Sequence, residues 1–195
     1  MKRSKITILL AIVLGMTFHS CLDLEPQDQL GGKNMWTSVN DYKQFANTFY
    51  SWTRDFSSVV YDGTHSDKRS DLITYQSYNE FSRGINSIPS SDANYTDNYK
   101  HIRRTNLLLQ NAEAYAKPED IKQYIGEAYF FRAYSYFDLL QLYGDVIITK
   151  KPLDITDPEM KVKRNDRSEV VDLIIDDLNH AVENLPAFKQ LTTEE

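Results

Sequence analysis

Between Pro118 and Gly144 runs a segment that no small fold can leave at its surface. Ile121, Tyr124, Ile125, Ala128, Phe130, Phe131, Ala133, Tyr136, Phe137, Leu139, Leu140 and Leu142 place apolar groups on nearly every side of a helix over 119–143. A helix that is apolar all round is covered by neighbours on several faces, so the chain must supply more helices. Pro118 suits a first helical turn, where its missing N–H costs nothing, and Gly144 suits a helix C-cap. The periodicity supplies the neighbours. From Tyr95 to Ala116, the residues Tyr95, Tyr99, Ile102, Asn106, Leu109, Ala112 and Tyr115 share one face. Ser168 and Glu169 open a last helix that runs to Leu185 and is closed by Pro186, with a stripe of Val171, Ile174, Ile175, Leu178, Ala181, Val182 and Leu185. A shorter helix from Ser38 to Trp52, capped by Ser38 or Asn40, carries Tyr42, Phe45, Phe49 and Trp52. Val146-Ile147-Ile148 reads as an extended stretch.

These segments predict an all-α fold of helical pairs with long irregular loops. The longest loop, 53–94, is rich in Ser, Asp, Asn and Tyr and is broken by Gly63, Gly84 and Pro89. A loop of that length in a compact domain is usually functional or disordered. The last helix carries a full apolar face, yet only ten residues follow Leu185. Stacked helical pairs bury such faces on the next pair, so the chain reads as the N-terminal part of a longer domain.

Composition removes several function classes. One cysteine excludes an internal disulfide and any Cys-based zinc site. A net charge of -6 argues against nucleic acid as a partner, which calls for a basic footprint. Catalysis finds no support: His65, His101 and His180 lie on separate segments, and no G-x-S-x-G, P-loop or H-E-x-x-H motif is present. No cofactor is implied. The 13 Tyr outnumber the nine Phe and two Trp, an unusual balance that favours rings with a polar edge.

The first twenty residues read as an export signal. Lys2, Arg3 and Lys5 precede an apolar run from Ile6 to Phe18. Thirteen helical residues reach only about 20 Å, short of the roughly 30 Å hydrocarbon core of a bilayer. The single cysteine, Cys21, stands where a bacterial lipoprotein signal would be cut and acylated. Phe18-His19-Ser20 is an imperfect version of the box before such a cysteine, and an ordinary signal peptide is the alternative. The organisation expected is therefore a signal over 1–20, a tether over 21–34 and a helical domain over 35–195. Removing Lys2, Arg3 and Lys5 leaves 19 basic against 28 acidic residues, a net charge of -9. Such a chain is repelled by anionic membrane surfaces, so attachment falls to lipid on Cys21.

Taken in order, these segments resemble the SusD/RagB family of outer-membrane nutrient-binding lipoproteins. The resemblance is densest from Gly126-Glu127-Ala128 through Arg132-Ala133 and Tyr136-Phe137 to Tyr143-Gly144-Asp145-Val146. Tyr95, Tyr99, Ile102 and Asn106 match the family's preceding helix, with Tyr95 in the place of a Trp. Asp166-Arg167-Ser168 and Asp177-Leu178 through Leu185-Pro186 match its following one. Ile148 departs from the family by replacing a Pro, and the family's long ligand-binding half is not in this sequence. The resemblance implies tetratricopeptide-like helical pairs and a lid-like partner for a SusC-like TonB-dependent transporter. It further implies a surface-exposed, lipid-anchored, non-enzymatic protein of the outer membrane that captures oligosaccharides and delivers them to that transporter. A periplasm-facing helical-repeat scaffold lipoprotein of the outer membrane is the alternative.

Sugar recognition asks for aromatic surface beside fixed polar groups that satisfy hydroxyls. The 53–94 stretch offers Asp67, Arg69, Tyr75, Tyr78 and Asn79 as ligand-binding candidates, with Tyr61, Phe81 and Arg83 nearby. Asp62, Asp67 and Asp71 fit no calcium loop and read as a solvated turn, so no metal is expected. Trp36 and Trp52 read as core. Lys100, Arg103 and Arg104 read as a solvated basic face. Arg132, inside the apolar helix, must meet a carboxylate or several carbonyls, a structural role.

Overall fold

The computed structural model describes residues 35–54, 84, 85, 87–154 and 156–187, nearly all of them within one compact unit, Trp36–Glu195. Four α-helices carry it: α1 (Val39–Asn47), α2 (Ala93–Glu113), α3 (Lys122–Tyr143) and α4 (Arg167–Asn184). Short 3-10 turns follow α1 (Thr48–Trp52), precede α3 (Pro118–Ile121) and lie between α3 and α4 (Pro158–Lys161). No strand occurs among the described residues; a single bridge joins Val146 to Asn165. The all-α class is as the periodicity predicts. No helix among the described residues is long and apolar enough to cross a membrane.

Each helix starts where its capping chemistry permits. Ser38 caps α1 through a reciprocal box: its hydroxyl accepts from the Asp41 N–H, and Asp41 Oδ2 accepts from the Ser38 N–H at 2.8 Å. Asp92 caps α2 by accepting from the Asn94 N–H at 2.9 Å, and Tyr143 at the far end of α3 donates to its other oxygen at 2.6 Å. The expected start of α4 shifts: Asp166, not Ser168, is the cap, in a box with Glu169. That arrangement satisfies two orphan donors at once, which a Ser inside the helix could not do. Gly144 ends α3 with φ +69°, a conformation an L side chain resists.

α3 is the hub. Against α2 and α1 it buries Ala128, Phe131, Ser135 and Leu139, and Phe45, Phe49, Ile102 and Leu108 are fully covered around them. Against α4 it runs antiparallel, as Gly126 lies by Leu185 and Arg132 by Asp177. Burial on several faces follows from its all-round apolar sequence, although Phe130 and Phe137 stay 40% and 46% exposed.

The last helix departs from its expected phase. Val170, Leu173, Ile174, Asp177 and Ala181 point inward, whereas Ile175, Leu178 and Val182 are 52%, 40% and 79% exposed. The reason is electrostatic. Arg132 is nine-tenths buried in α3, and it turns toward α4 the face that carries its carboxylate.

After Gly144 the chain is extended, and beyond the single Val146–Asn165 bridge side chains complete its hydrogen bonds. The Tyr99 hydroxyl donates to Ile147 O and accepts from Ile147 N, at 2.8 and 2.9 Å. The Tyr136 hydroxyl does the same for Thr149. Asn106 Nδ2 donates to Thr149 O and Lys151 O, while Asn165 Oδ1 accepts from Ile148 N. Buried backbone groups must be paired, and here phenols and carboxamides replace a neighbouring strand. The wealth of tyrosine is used in this way.

Candidate functional site

The N-terminal turns of α2, the 3-10 turn Thr48–Trp52 and the middle of α3 enclose a cleft of about 180 Å³. Each element brings a different chemistry. From α2 come Asn94, Asp97, Asn98 and His101; from α3 come Tyr134 and Asp138; the 3-10 turn brings Trp52. Asp97 and His101 are one turn apart, as are Tyr134 and Asp138, so helical spacing alone aims each pair into the same space.

Trp52 forms the back of the cleft. Its ring stacks on His101 with centroids 4.0 Å apart and planes 13° apart, and Phe49 lies 4.6 Å away. Burial holds the His101 imidazole below the ordinary histidine range; Arg104 and Lys100 push the same way, against Asp97 and Asp138. A neutral imidazole is both donor and acceptor. Asp97 is held ionised by the hydrogen bond and charge of Lys100 at 2.7 Å. Asp138 is paired with Arg54, whose guanidinium lies 5.6 Å from the centre of the Tyr134 ring. Carboxylates, carboxamides and a neutral imidazole around aromatic edges form an acceptor-rich wall. Such a wall satisfies several hydroxyls of one small ligand.

The sequence candidates fare differently. Cys21, Asp67, Arg69, Tyr75, Tyr78 and Asn79 lie outside the described residues, as do the Asp62–Asp71 turn and the leader. Trp36 and Trp52, expected in the core, are only half-buried. Trp36 packs on Tyr42 and Phe45, while Trp52 reaches the cleft. The basic trio is not one solvated face: Lys100 binds Asp97, Arg103 reaches Leu153 O and Asp154, and Arg104 lies over Phe45 and donates to the Thr48 hydroxyl. Arg132 meets Asp177 through two hydrogen bonds and Asn106 through a third, the structural role expected. Sequence reasoning missed Asp97, His101, Tyr134 and Asp138. Their signal was a carboxylate four positions from a ring-bearing side chain, once on α2 and once on α3. Among the described residues, no group of three or more metal-ligating side chains occurs.

Comparison with known proteins now defines the class. Residues 22–193 match the SusD-like_3 family model, described as starch-binding associating with outer membrane. The chain belongs to the SusD-like family. It is similar to SusD-like protein P38 of Formosa agariphila, with 28% identity over 94% of this chain and 38% of that protein. SusD-like protein P2 of the same organism is 27% identical over 95% of this chain and 39% of its own length. Among solved structures, a SusD-like protein of Bacteroides fragilis superposes with a TM-score of 0.66 at 25% identity, covering 87% of this chain and 34% of that one. A SusD-like carbohydrate binding protein of the same species superposes with a TM-score of 0.61 at 19% identity, over 78% of this chain and 33% of that one. The chain thus spans under two fifths of the length of these relatives.

Proposed function

We propose that this protein is a non-enzymatic, surface-exposed lipoprotein of the outer membrane that captures oligosaccharides and passes them to a SusC-like TonB-dependent transporter. The observation that carries the reading is the family match across residues 22–193, whose description joins starch binding to the outer membrane. The matched structure described as carbohydrate binding supports the ligand class. In this reading Met1–Ser20 is the export signal, Cys21 carries the lipid, residues 21–34 are the tether and the helical domain is the scaffold. The cleft at Trp52, Asp97 and His101 contributes polar contacts to one sugar ring, and the candidates from Asp67 to Asn79 contribute others.

Purification of the tagged protein from detergent-solubilised outer membranes tests the partner. Recovery of a large β-barrel with a plug domain in near-equal amount supports the reading, and recovery of assembly factors alone overturns it. Cys21→Ser should release the protein from the membrane fraction. Incubation of the purified protein with polysaccharide should liberate no reducing ends, whereas a hydrolase would.

A further inference from the structure

We propose that the sugar ring taken by the Trp52 cleft carries a free amine, and that Asp97, Asn98 and His101 hold its ammonium. The inference rests on the function proposed above and narrows it to amino sugars at this site. Asn98 is 8% exposed and lines the cleft. Its Nδ2 donates to Asn94 O at 2.8 Å, which fixes the carboxamide and turns Oδ1 away from that carbonyl. Among the described residues no donor reaches Asn98 Oδ1, and the one fully covered side-chain atom without a partner is Glu127 Oε2. Asn98 Oδ1 is therefore open, and the space beside it is the cleft.

Two further acceptors share this turn of α2. Asp97 Oδ1 accepts from Lys100 Nζ at 2.7 Å, and no donor among the described residues reaches Oδ2. His101 lays one ring face on Trp52 and has no hydrogen-bond partner among the described residues. Burial keeps that ring neutral, so one of its nitrogens accepts. His101 is three and four positions from Asn98 and Asp97, which makes it the surface neighbour of both. A hydroxyl brings one O–H and itself needs a donor, whereas an ammonium brings three N–H groups and accepts nothing. Three acceptors on one turn suit the ammonium. Charge points the same way: Asp97 and Asp138 line the cleft, and no Lys or Arg does. Lys100 and Arg54 bind those carboxylates from outside its wall, and the Lys100 side chain is 71% exposed, so water screens much of its charge.

Chemical-shift titration of the isotope-labelled full chain tests the site with three probes that differ only at C2. These are methyl glucosaminide, with its amine charged, methyl N-acetylglucosaminide and methyl glucoside. The amine should bind about tenfold tighter than the other two, because hydrogen bonds from a charged donor are the stronger ones. The largest shifts should fall at Asp97, Asn98 and His101. Asp97→Asn should bring the amine down to the level of the neutral sugars. His101→Phe keeps a ring against Trp52 but removes an acceptor, and should reduce the preference. Equal affinities, binding of none of the three, shifts confined to other residues, or a preference that survives Asp97→Asn overturns the inference. Malto-oligosaccharides separate it from the function proposed above. Their capture with no amine preference at the cleft leaves that function standing and overturns this site. An amine held at Asp97 by a protein that captures no oligosaccharide leaves this site standing and overturns that function.

Discussion

Replacing Asp177 by alanine strands a guanidinium inside the protein. Asp177 is fully buried and accepts from Arg132 Nε at 2.8 Å and from Nη2 at 2.6 Å. Arg132 would keep only the bond from Nη1 to Asn106 Oδ1 at 2.7 Å, with its charge uncompensated. Breaking one side of a buried pair costs about 3–5 kcal/mol, against a total stability of about 5–15 kcal/mol for an ordinary domain. For a chain of this size the melting temperature should fall by about 6–20 °C. The damage should also spread, because Asn106 ties the same network to Thr149 O and Lys151 O. Thermal melts followed by circular dichroism measure the loss. The control is the double variant Arg132→Met with Asp177→Leu, which removes both charges and fills the site with apolar side chains. It should recover most of the loss, short of about 1–3 kcal/mol for the acceptor it leaves bare on Asn106. A double variant no better than the single one would refute the electrostatic argument and make Asp177 a packing residue.

Two further substitutions probe the helix junctions. Gly126→Ala would place a Cβ 2.9 Å from Leu185 Cγ and 3.0 Å from its backbone N, which cannot swing aside. Overpacking of about 1–3 kcal/mol should outweigh the usual helical gain of alanine, so a raised melting temperature would mean that α3 and the end of α4 do not meet closely. Asp166→Ala removes the side-chain half of the α4 capping box, leaving Glu169 on the backbone N–H, and should cost about 0.5–2 kcal/mol in urea unfolding. Ser168→Ala, at the position the sequence favoured for the cap, should stay within about 0.5 kcal/mol.

What could be read from the sequence was what depends on neighbours along the chain. Tyr42, Phe45 and Phe49 are three and four apart and all become buried, because local spacing alone fixes a helix face. The need of Arg132 for a carboxylate was legible too, but its partner stands 45 residues away, and no period connects them. The tyrosines were placed on helix faces, but the partners of their hydroxyls were not. Tyr99 serves a backbone segment 48 residues on, a pairing that exists only once α2 and α3 are packed. The cleft is the same case, since Trp52, His101 and Asp138 come from three elements. The sequence reading put its ligand candidates in the irregular loop because helices with apolar faces look like scaffold. The polar residues within those helices are a second local signal.

The phase of α4 shows how a single buried charge overrides periodicity, and it carries a last prediction. Val171, Ile174, Ile175, Leu178, Ala181, Val182 and Leu185 lie within an arc of about 120°, one apolar face, yet only Ile174 and Ala181 of them are buried. Periodicity alone would therefore turn Ile175 and Val182 inward. The cost of leaving Arg132 unpaired decides otherwise, and Asp177 goes inward while Ile175 and Val182 turn out. If that is the governing balance, the outward residues contribute little to this unit. Serine has nearly the helix propensity of isoleucine and valine, so Ile175→Ser with Val182→Ser should change stability by no more than about 0.5 kcal/mol per site. Leu173→Ala, one turn away on the inner face and 5% exposed, should cost about 2–5 kcal/mol. Equilibrium unfolding of the three proteins side by side gives the comparison. A loss in the outer variant approaching that of Leu173→Ala would mean that another part of this same chain covers the outer stripe, and the argument from Arg132 would no longer explain the phase.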